Sequence, residues 1–203
     1  HWPAGIHARN EIRSQFAHAI DMVPTVLDAL GIEPPATIRG VTQSPIEGVS
    51  LRHTFEDGAA AGKRNTQYFE MMGHRSIYHD GWRAVCPWPG PSFQEAGAFF
   101  GTPIPAEKLT EIDATGWELY HVAQDWAENH NVAAENRAKL IEMIAMWYVE
   151  AGKYHVMPVD GRGVQRFADE RPQLTADRTR YTLYPGTQAV PFNAGPRLLN
   201  RTH

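Results

Sequence analysis

The chain has 203 residues, with 19 Lys and Arg against 23 Asp and Glu and a formal net charge of -4. That balance offers nucleic acid no basic face, and no apolar run reaches the roughly 20 residues that span a bilayer. A single cysteine, Cys86, excludes an internal disulfide framework, while 15 prolines and 17 glycines suit a loop-rich α+β body better than a helical bundle.

The first residues, His1-Trp2-Pro3, carry neither a Met nor a basic leader with an apolar stretch behind it. The chain is therefore expected to be a piece of a longer soluble protein. A turn at Pro3-Ala4-Gly5 follows, then a short apolar lead-in from Phe16 to Ile20. Asp21 fits a helix N-cap, with its carboxylate accepting from free first-turn amides, and Pro24 sits early enough that its missing N–H costs little. Val23, Val26, Leu27 and Leu30 form an apolar stripe that Gly31 ends. His18, beside this cap, reads either as a satisfied semi-buried histidine or as a pocket-lining group.

Residues 33–48 read as an irregular connector, leading to a short helical turn that ends near Phe55, and residues 57–62 as a surface loop. Residues 66–71, 75–78 and 82–86 are β-prone around a His79-Asp80-Gly81 turn, a hairpin signature. The loop at 87–116 is long for a compact domain and carries Trp88, Phe93, Phe99 and Phe100. Loops of that length line sites or stay disordered. A strand is expected at 117–122. In the helix after Ala134, Leu140, Met143, Ile144, Trp147 and Ala151 recur at helical spacing and define one buried face. Residues 178–184 alternate like a strand, and Asn200-Arg201-Thr202 matches a glycosylation sequon.

Ten histidines invite a search for metal sites. His74, His79 and Asp80 lie together in sequence, and His1 and His7 flank a turn, but neither set has His-x-x-x-His or paired-cysteine spacing. Cys86 has no base nearby in sequence and reads as a strand-end thiol. No Gly-x-Ser-x-Gly elbow, phosphate-cradling glycine loop or Asp-Asp pair occurs. The residues alone compose no complete active site.

Five stretches, in order, resemble the C-terminal part of the sulfatase family, in particular the bacterial arylsulfatase type. His1-Trp2-Pro3-Ala4-Gly5-Ile6 is similar to a loop that follows one of the family's strands. Ile20 to Gly31, with Asp21, Pro24 and Thr25, resembles its Asp-x-x-Pro-Thr helix. Glu47-Gly48-Val49-Ser50-Leu51 resembles its Asp/Glu-Gly-x-Ser-Leu loop. Phe69-Glu70-Met71, Gly73-His74-Arg75-Ser76-Ile77 and Asp80-Gly81-Trp82-Arg83-Ala84-Val85 together resemble its hairpin. Trp117-Glu118-Leu119-Tyr120 with Asp125, Glu128, Asn129 and Asn131 resembles its Leu-Tyr-Asp-Leu…Asp-Pro-x-Glu-x-x-Asn signature. His121 stands where the family often has Asp or Asn, and Trp126 where it often has Pro.

The resemblance implies an α/β fold of the alkaline phosphatase-like superfamily. Residues 1–62 would end the large α/β domain. Residues 63–160 would form a small α+β subdomain, a three- or four-stranded antiparallel sheet packed by one long helix. Residues 161–203 would be a connector. It implies hydrolysis of aryl sulfate monoesters by a full-length enzyme that uses calcium and a formylglycine, with a phosphonate or phosphate monoester hydrolase of the same superfamily, or a non-catalytic interaction module, as alternatives. Formylglycine is made in a Cys/Ser-x-Pro-x-Arg motif, and Cys86-Pro87-Trp88-Pro89-Gly90 is not one. No catalytic or metal-ligating residue carries over. The expected partners are the missing N-terminal portion of the same protein and a small-molecule sulfate ester. Trp88, His18 and His74 are the candidate substrate-pocket residues, with the 87–116 loop on the aryl side, and Glu70 and Arg75 are expected to pair across the hairpin.

Overall fold

A computed structural model describes residues 2–7, 10–88, 107, 111, 113, 115–159, 180, 182, 184 and 185. Helix α1 (Met22–Leu30) is followed by a two-residue ribbon of β1 (Thr37–Ile38) and β2 (Val41–Thr42). Strands β3 (Thr66–Met71), β4 (His74–His79), β5 (Trp82–Cys86) and β6 (Glu118–Tyr120) form one antiparallel sheet in sequence order. Helix α2 (Arg137–Lys153) covers one face of it. The expected antiparallel sheet packed by one long helix is thus present.

Side-chain alternation sorts the sheet into two faces. Register places Tyr68, Ile77, Ala84 and Leu119 in one row, and Glu70, Arg75 and Cys86 in the next. This face meets α2, whose Leu140, Met143, Trp147 and Ala151 are buried against it. Each fully buried large aliphatic side chain there contributes roughly 1.5–3 kcal/mol. The Trp147 indole also donates to the Phe69 carbonyl at 3.1 Å, so its one polar atom is satisfied.

Both hairpin turns put their central pair in the left-handed region that matches strand twist. Asp80 and Gly81, at φ 43° and 80°, are suited to it. Met72 at φ 52°, before Gly73, is not, since a side chain crowds the backbone there. Met72→Asn is therefore expected to raise stability by about 0.5–1 kcal/mol, read as a higher urea midpoint with an unchanged slope.

Several expectations need correction. The 33–48 connector contains the β1–β2 ribbon, which turns on Arg39 and Gly40 at φ 50° and 81°. Strand β6 is shorter than expected, and the turn into α2 delays the helix to Arg137. Asp21 occupies the α1 N-cap position without capping that helix through its side chain. Glu70 and Arg75 are opposed in register but do not pair: Glu70 accepts from the Gly73 amide at 2.9 Å, while Arg75 donates to Asp113 at 2.6 Å and to Cys86 Sγ at 3.2 Å. Packing between Trp117 and Trp147, with ring centroids 5.2 and 5.7 Å from its guanidinium carbon, draws Arg75 toward α2. Most of the 87–116 loop, residues 178, 179, 181 and 183 of the alternating stretch, and the whole 200–202 sequon lie outside the described residues.

Candidate functional site

The sheet face away from α2 carries Phe69, His74, Ser76, Arg83 and Val85, and a cleft of about 730 Å³ opens over it. One wall is the irregular segment 14–18, which reaches the cleft through His18. Phe16 stacks on Tyr78 with centroids 3.7 Å apart, and His18 tilts against Phe69 at 5.4 Å. That segment is moored by Gln15, whose amide donates to the carbonyls of Gly58 and Ala60 at 2.9 and 2.6 Å.

The second wall is built by two sequence motifs that bond to one another. Asp21, fully buried, accepts from the Val49 amide at 2.7 Å and the His18 amide at 2.9 Å. The Thr25 hydroxyl donates to the Asp21 carbonyl and accepts from the Leu51 amide at 2.9 Å. Ser50 donates to Asp28 at 2.6 Å. Arg64, just before β3, then grips the Asp21 carboxylate through Nε and a terminal nitrogen, and donates to Gln67 at 2.9 Å. The helix, the glycine loop and the sheet therefore meet at one carboxylate.

His18 and His74 both line this cleft. The Nδ1 of His74 accepts the Trp88 backbone N–H at 3.0 Å, and that of His18 accepts the Ile20 N–H at 3.4 Å. An amide can only donate, so in both contacts the histidine Nδ1 is the acceptor. Trp88 itself packs half-buried against the core cluster under α2 and holds His74 through its main chain.

Burial holds the His74 ring below its ordinary value against a smaller upward pull from Glu70. The unfolded chain takes this proton near pH 6.5, and the folded chain only lower. Stability from this group is complete above that value and falls as pH drops through it toward the folded pKa. Urea midpoints of the wild type and His74→Gln, compared from about pH 7.5 to about pH 5 around that unfolded value, are expected to show a decline that is weaker in the variant.

Of the residues grouped by sequence spacing, His79 keeps Asp80 beside it, with Nε2 3.5 Å from a carboxylate oxygen, but His74 does not join them. His79 Nδ1 contacts the Thr66 hydroxyl at 2.8 Å on the α2 face of the sheet, whereas His74 lies on the other, and His7 pairs with Glu56 at 2.7 Å. Among the described residues, no group of three or more His, Cys, Asp or Glu side chains could hold a metal ion. Cys86 is fully buried and its thiol is pushed up to about 11, mainly by that burial, despite the opposing charge of Arg75. A thiol so placed is inert as a nucleophile, and neither it nor the carboxylates around the cleft fit the formylglycine and calcium of a sulfatase.

Sequence reasoning missed Arg64, Arg83 and Phe69 as cleft residues. Phe69 was legible in principle: it alternates with the core-facing Tyr68 and Glu70. Arg64, inside Lys63-Arg64-Asn65, has no local signal, because its partner Asp21 is 43 residues away. Arg83 bonds both oxygens of Glu128 at 2.6 Å and donates to Ser76 at 2.9 Å. Asp125 and Asn131 build the turn between β6 and α2: Asp125 accepts from the His130 amide at 2.8 Å, and Asn131 from the amides of Leu119 and Ala133 at 3.1 and 3.0 Å.

Among the described residues, no helix is long and apolar enough to cross a membrane. No protein-family model matches the chain. Among solved structures, it is similar to a protein determined with its substrate D-glucosamine-2-N,6-O-disulfate, at 22% identity and a TM-score of 0.42 over 69% of this chain and 25% of that one. It is similar to a putative sulfatase from Bacteroides thetaiotaomicron at 18% identity and a TM-score of 0.41, over 75% of this chain and 28% of that one. A 2-O GAG sulfatase gives 18% identity and a TM-score of 0.40, over 75% and 28%. The chain spans about a quarter of the length of these structures.

Proposed function

We propose that this chain is the C-terminal part of an arylsulfatase-type sulfuric ester hydrolase. In this reading residues 1–62 end the large α/β domain, residues 63–160 form the small subdomain, and residues 161–203 lead onward. The nucleophile and the calcium ligands belong to the preceding portion of the protein. This chain contributes scaffold and a wall of the substrate pocket, where His18 and His74 stand.

The observation that carries the reading is the clasp between two of the family-like stretches, the Asp-x-x-Pro-Thr helix and the Glu-Gly-x-Ser-Leu loop. Asp21 and Thr25 of one bond the Val49 and Leu51 amides of the other at 2.7 and 2.9 Å. Their resemblance thereby acquires a shared structural cause. The exposed apolar side chains of α1, Met22, Val23, Val26 and Leu30, agree with a large domain that covers them in the whole protein.

The isolated chain is expected to release no phenol from a chromogenic aryl sulfate above a protein-free control, with or without calcium. The reading frame upstream is expected to encode a Cys/Ser-x-Pro-x-Arg motif and an Asp-Asp pair, and the joined protein to turn the same substrate over. Activity of the isolated chain would place the site within these residues. A threonine nucleophile upstream would turn the reading to a phosphate or phosphonate ester.

A further inference from the structure

The four-stranded sheet has two edges, and they are finished differently. Along β6 the outward main-chain groups are those of Leu119, and both are taken: its amide donates to Asn131 Oδ1 at 3.1 Å, and its carbonyl accepts the Val132 amide at 2.8 Å. Along β3 the outward groups follow from the hairpin register. Met71 faces His74 across a two-residue turn, so that pair exchanges hydrogen bonds, and by alternation Phe69–Ser76 and Gln67–Tyr78 do as well. The main-chain groups of Tyr68 and Glu70 therefore point away from β4. The Tyr68 carbonyl accepts the side-chain amide of Gln67 at 2.7 Å. The Tyr68 amide and both main-chain groups of Glu70 meet no partner among the described residues.

Proteins blunt such an edge with a lysine, a proline or a bulge. Strand β3 has none of these, and its six residues pair one to one with β4 from Thr66–His79 to Met71–His74. The cleft runs along this edge, lined by residues 67–71, with Ile20 and Arg64 on one side and Tyr154 on the other. Tyr154 ends α2 and stacks on Tyr68 with centroids 5.3 Å apart. Walls on both sides leave width for one extended segment and collide with the walls of a second copy. The free groups of Tyr68 and Glu70 repeat at about 6.8 Å, the period of an extended main chain, which answers donors and acceptors together. An anion answers the two amides but is repelled by the Glu70 carbonyl between them.

The two sides of an added strand meet unlike surroundings. On the α2 side stand Glu70, Glu47, whose carboxylate accepts the Tyr154 hydroxyl at 2.9 Å, and Glu150, one helical turn before Tyr154. Arg64 and Arg75 are already paired, with Asp21 and Asp113, and Lys153 lies over the Tyr154 ring at 4.6 Å. Burial, Tyr154 and the charges of Glu150 and Glu70 together hold the Tyr68 phenol above its ordinary value. On the other side stand Phe69, Ile20 and Met71, the last 67% exposed. Side chains alternate along a strand, so the first side favours basic residues and the second apolar ones.

We propose that the β3 edge docks an extended segment of a partner polypeptide, basic at alternate positions and apolar between them, which adds a fifth strand to the sheet.

The test is an NMR titration of the isotopically labelled 203-residue chain with the peptide acetyl-Thr-Lys-Val-Lys-Val-Thr-amide. The Tyr68 and Glu70 amides are expected to shift saturably and to gain protection from hydrogen exchange, with the Leu119 amide unmoved. Two further peptides carry N-methyl groups on one or the other alternate set of amides. Only one edge of the peptide faces β3, so one is expected to bind like the parent and the other at least about tenfold more weakly. Glutamate in place of both lysines is expected to weaken binding too. Glu70→Pro removes one outward amide at a position where an edge strand tolerates proline, and is expected to weaken Kd about tenfold, the upper end for one hydrogen bond. Glu70→Gln, which keeps that amide, is expected to lose less. No saturable shift at millimolar peptide, equal binding of the two methylated peptides, or tighter binding of the glutamate peptide would overturn the proposal. So would Tyr68 and Glu70 amides already protected in the free chain, at every concentration or only as it dimerises, because the chain itself or a second copy would then fill the edge. Binding is read without turnover, so this result and the upstream motif test of the hydrolase reading fail independently.

Discussion

Asp21→Ala is expected to cost about 3–5 kcal/mol, the range for removing one partner of a buried pair. The Asp21 side chain is fully buried and that of Arg64 is 9% exposed, so the lost carboxylate leaves a guanidinium with little water to turn to. The Val49 and His18 amides lose their acceptor in the same step. Total stability of a domain is typically about 5–15 kcal/mol, so this one side chain decides a large fraction of it. Burial alone would push the Asp21 carboxyl up, but the Arg64 hydrogen bonds and the two amides outweigh it and hold the group below its ordinary value. The unfolded chain protonates this group near pH 3.9 and the folded chain only lower. Its contribution is thus complete above that value and is lost as pH falls through it toward the folded pKa. Urea unfolding at neutral pH checks the size. Asp21→Asn, which keeps the shape and drops the charge, is expected to lose less and to flatten the acid limb. A loss under about 1 kcal/mol, the range of an exposed pair, would show that the pair is solvated.

The same carboxylate marks where reading the sequence stops. Periodicity along the chain locates elements, because it depends on neighbours three or four residues apart. The Leu140–Ala151 stripe, the Gly31 stop and the Asp80-Gly81 turn were all readable for that reason, and so was the strand-turn-helix order after Trp117. Partner choice is a property of the fold. Asp21 looks like a helix cap because its nearest polar groups in sequence are helix amides, yet Arg64 and Val49 outcompete them from 43 and 28 residues away. Arg75 looks like a partner for Glu70 until Trp117 and Trp147 close over it from beyond the hairpin. For the candidate site the limit is similar. His18 and His74 could be named one at a time, but only the packing of segment 14–18 on the sheet sets them in one cleft. Trp126 could be noticed as a departure from a family pattern, and its exposure beside Phe16 and Tyr78 could not.

Gly48→Ala is expected to be nearly as damaging as the loss of Asp21, for a reason of space alone. A Cβ on Gly48 would sit 2.0 Å from the Ile20 carbonyl oxygen, 2.7 Å from its carbon and 2.8 Å from Pro24 Cγ. Two of those atoms are backbone, so no rotamer change relieves the clash. Separation of the loop from the turn before α1 is opposed by the clasp itself, whose Val49–Asp21 and Leu51–Thr25 bonds follow the glycine in its own loop. Overpacking costs typically 1–3 kcal/mol where side chains can shift, and with main chain on both sides a loss on the order of 3 kcal/mol is expected. Gly152 supplies the control: it lies inside α2 and a Cβ there meets nothing within 4 Å. Gly152→Ala is expected to gain up to about 1 kcal/mol from helix propensity. Urea midpoints that move in opposite directions for two identical substitutions would assign the cost at Gly48 to the contact with Ile20. Tolerance at Gly48 would mean that the loop and α1 can part, and that the wall carrying His18 is looser than the hydrogen bonds imply.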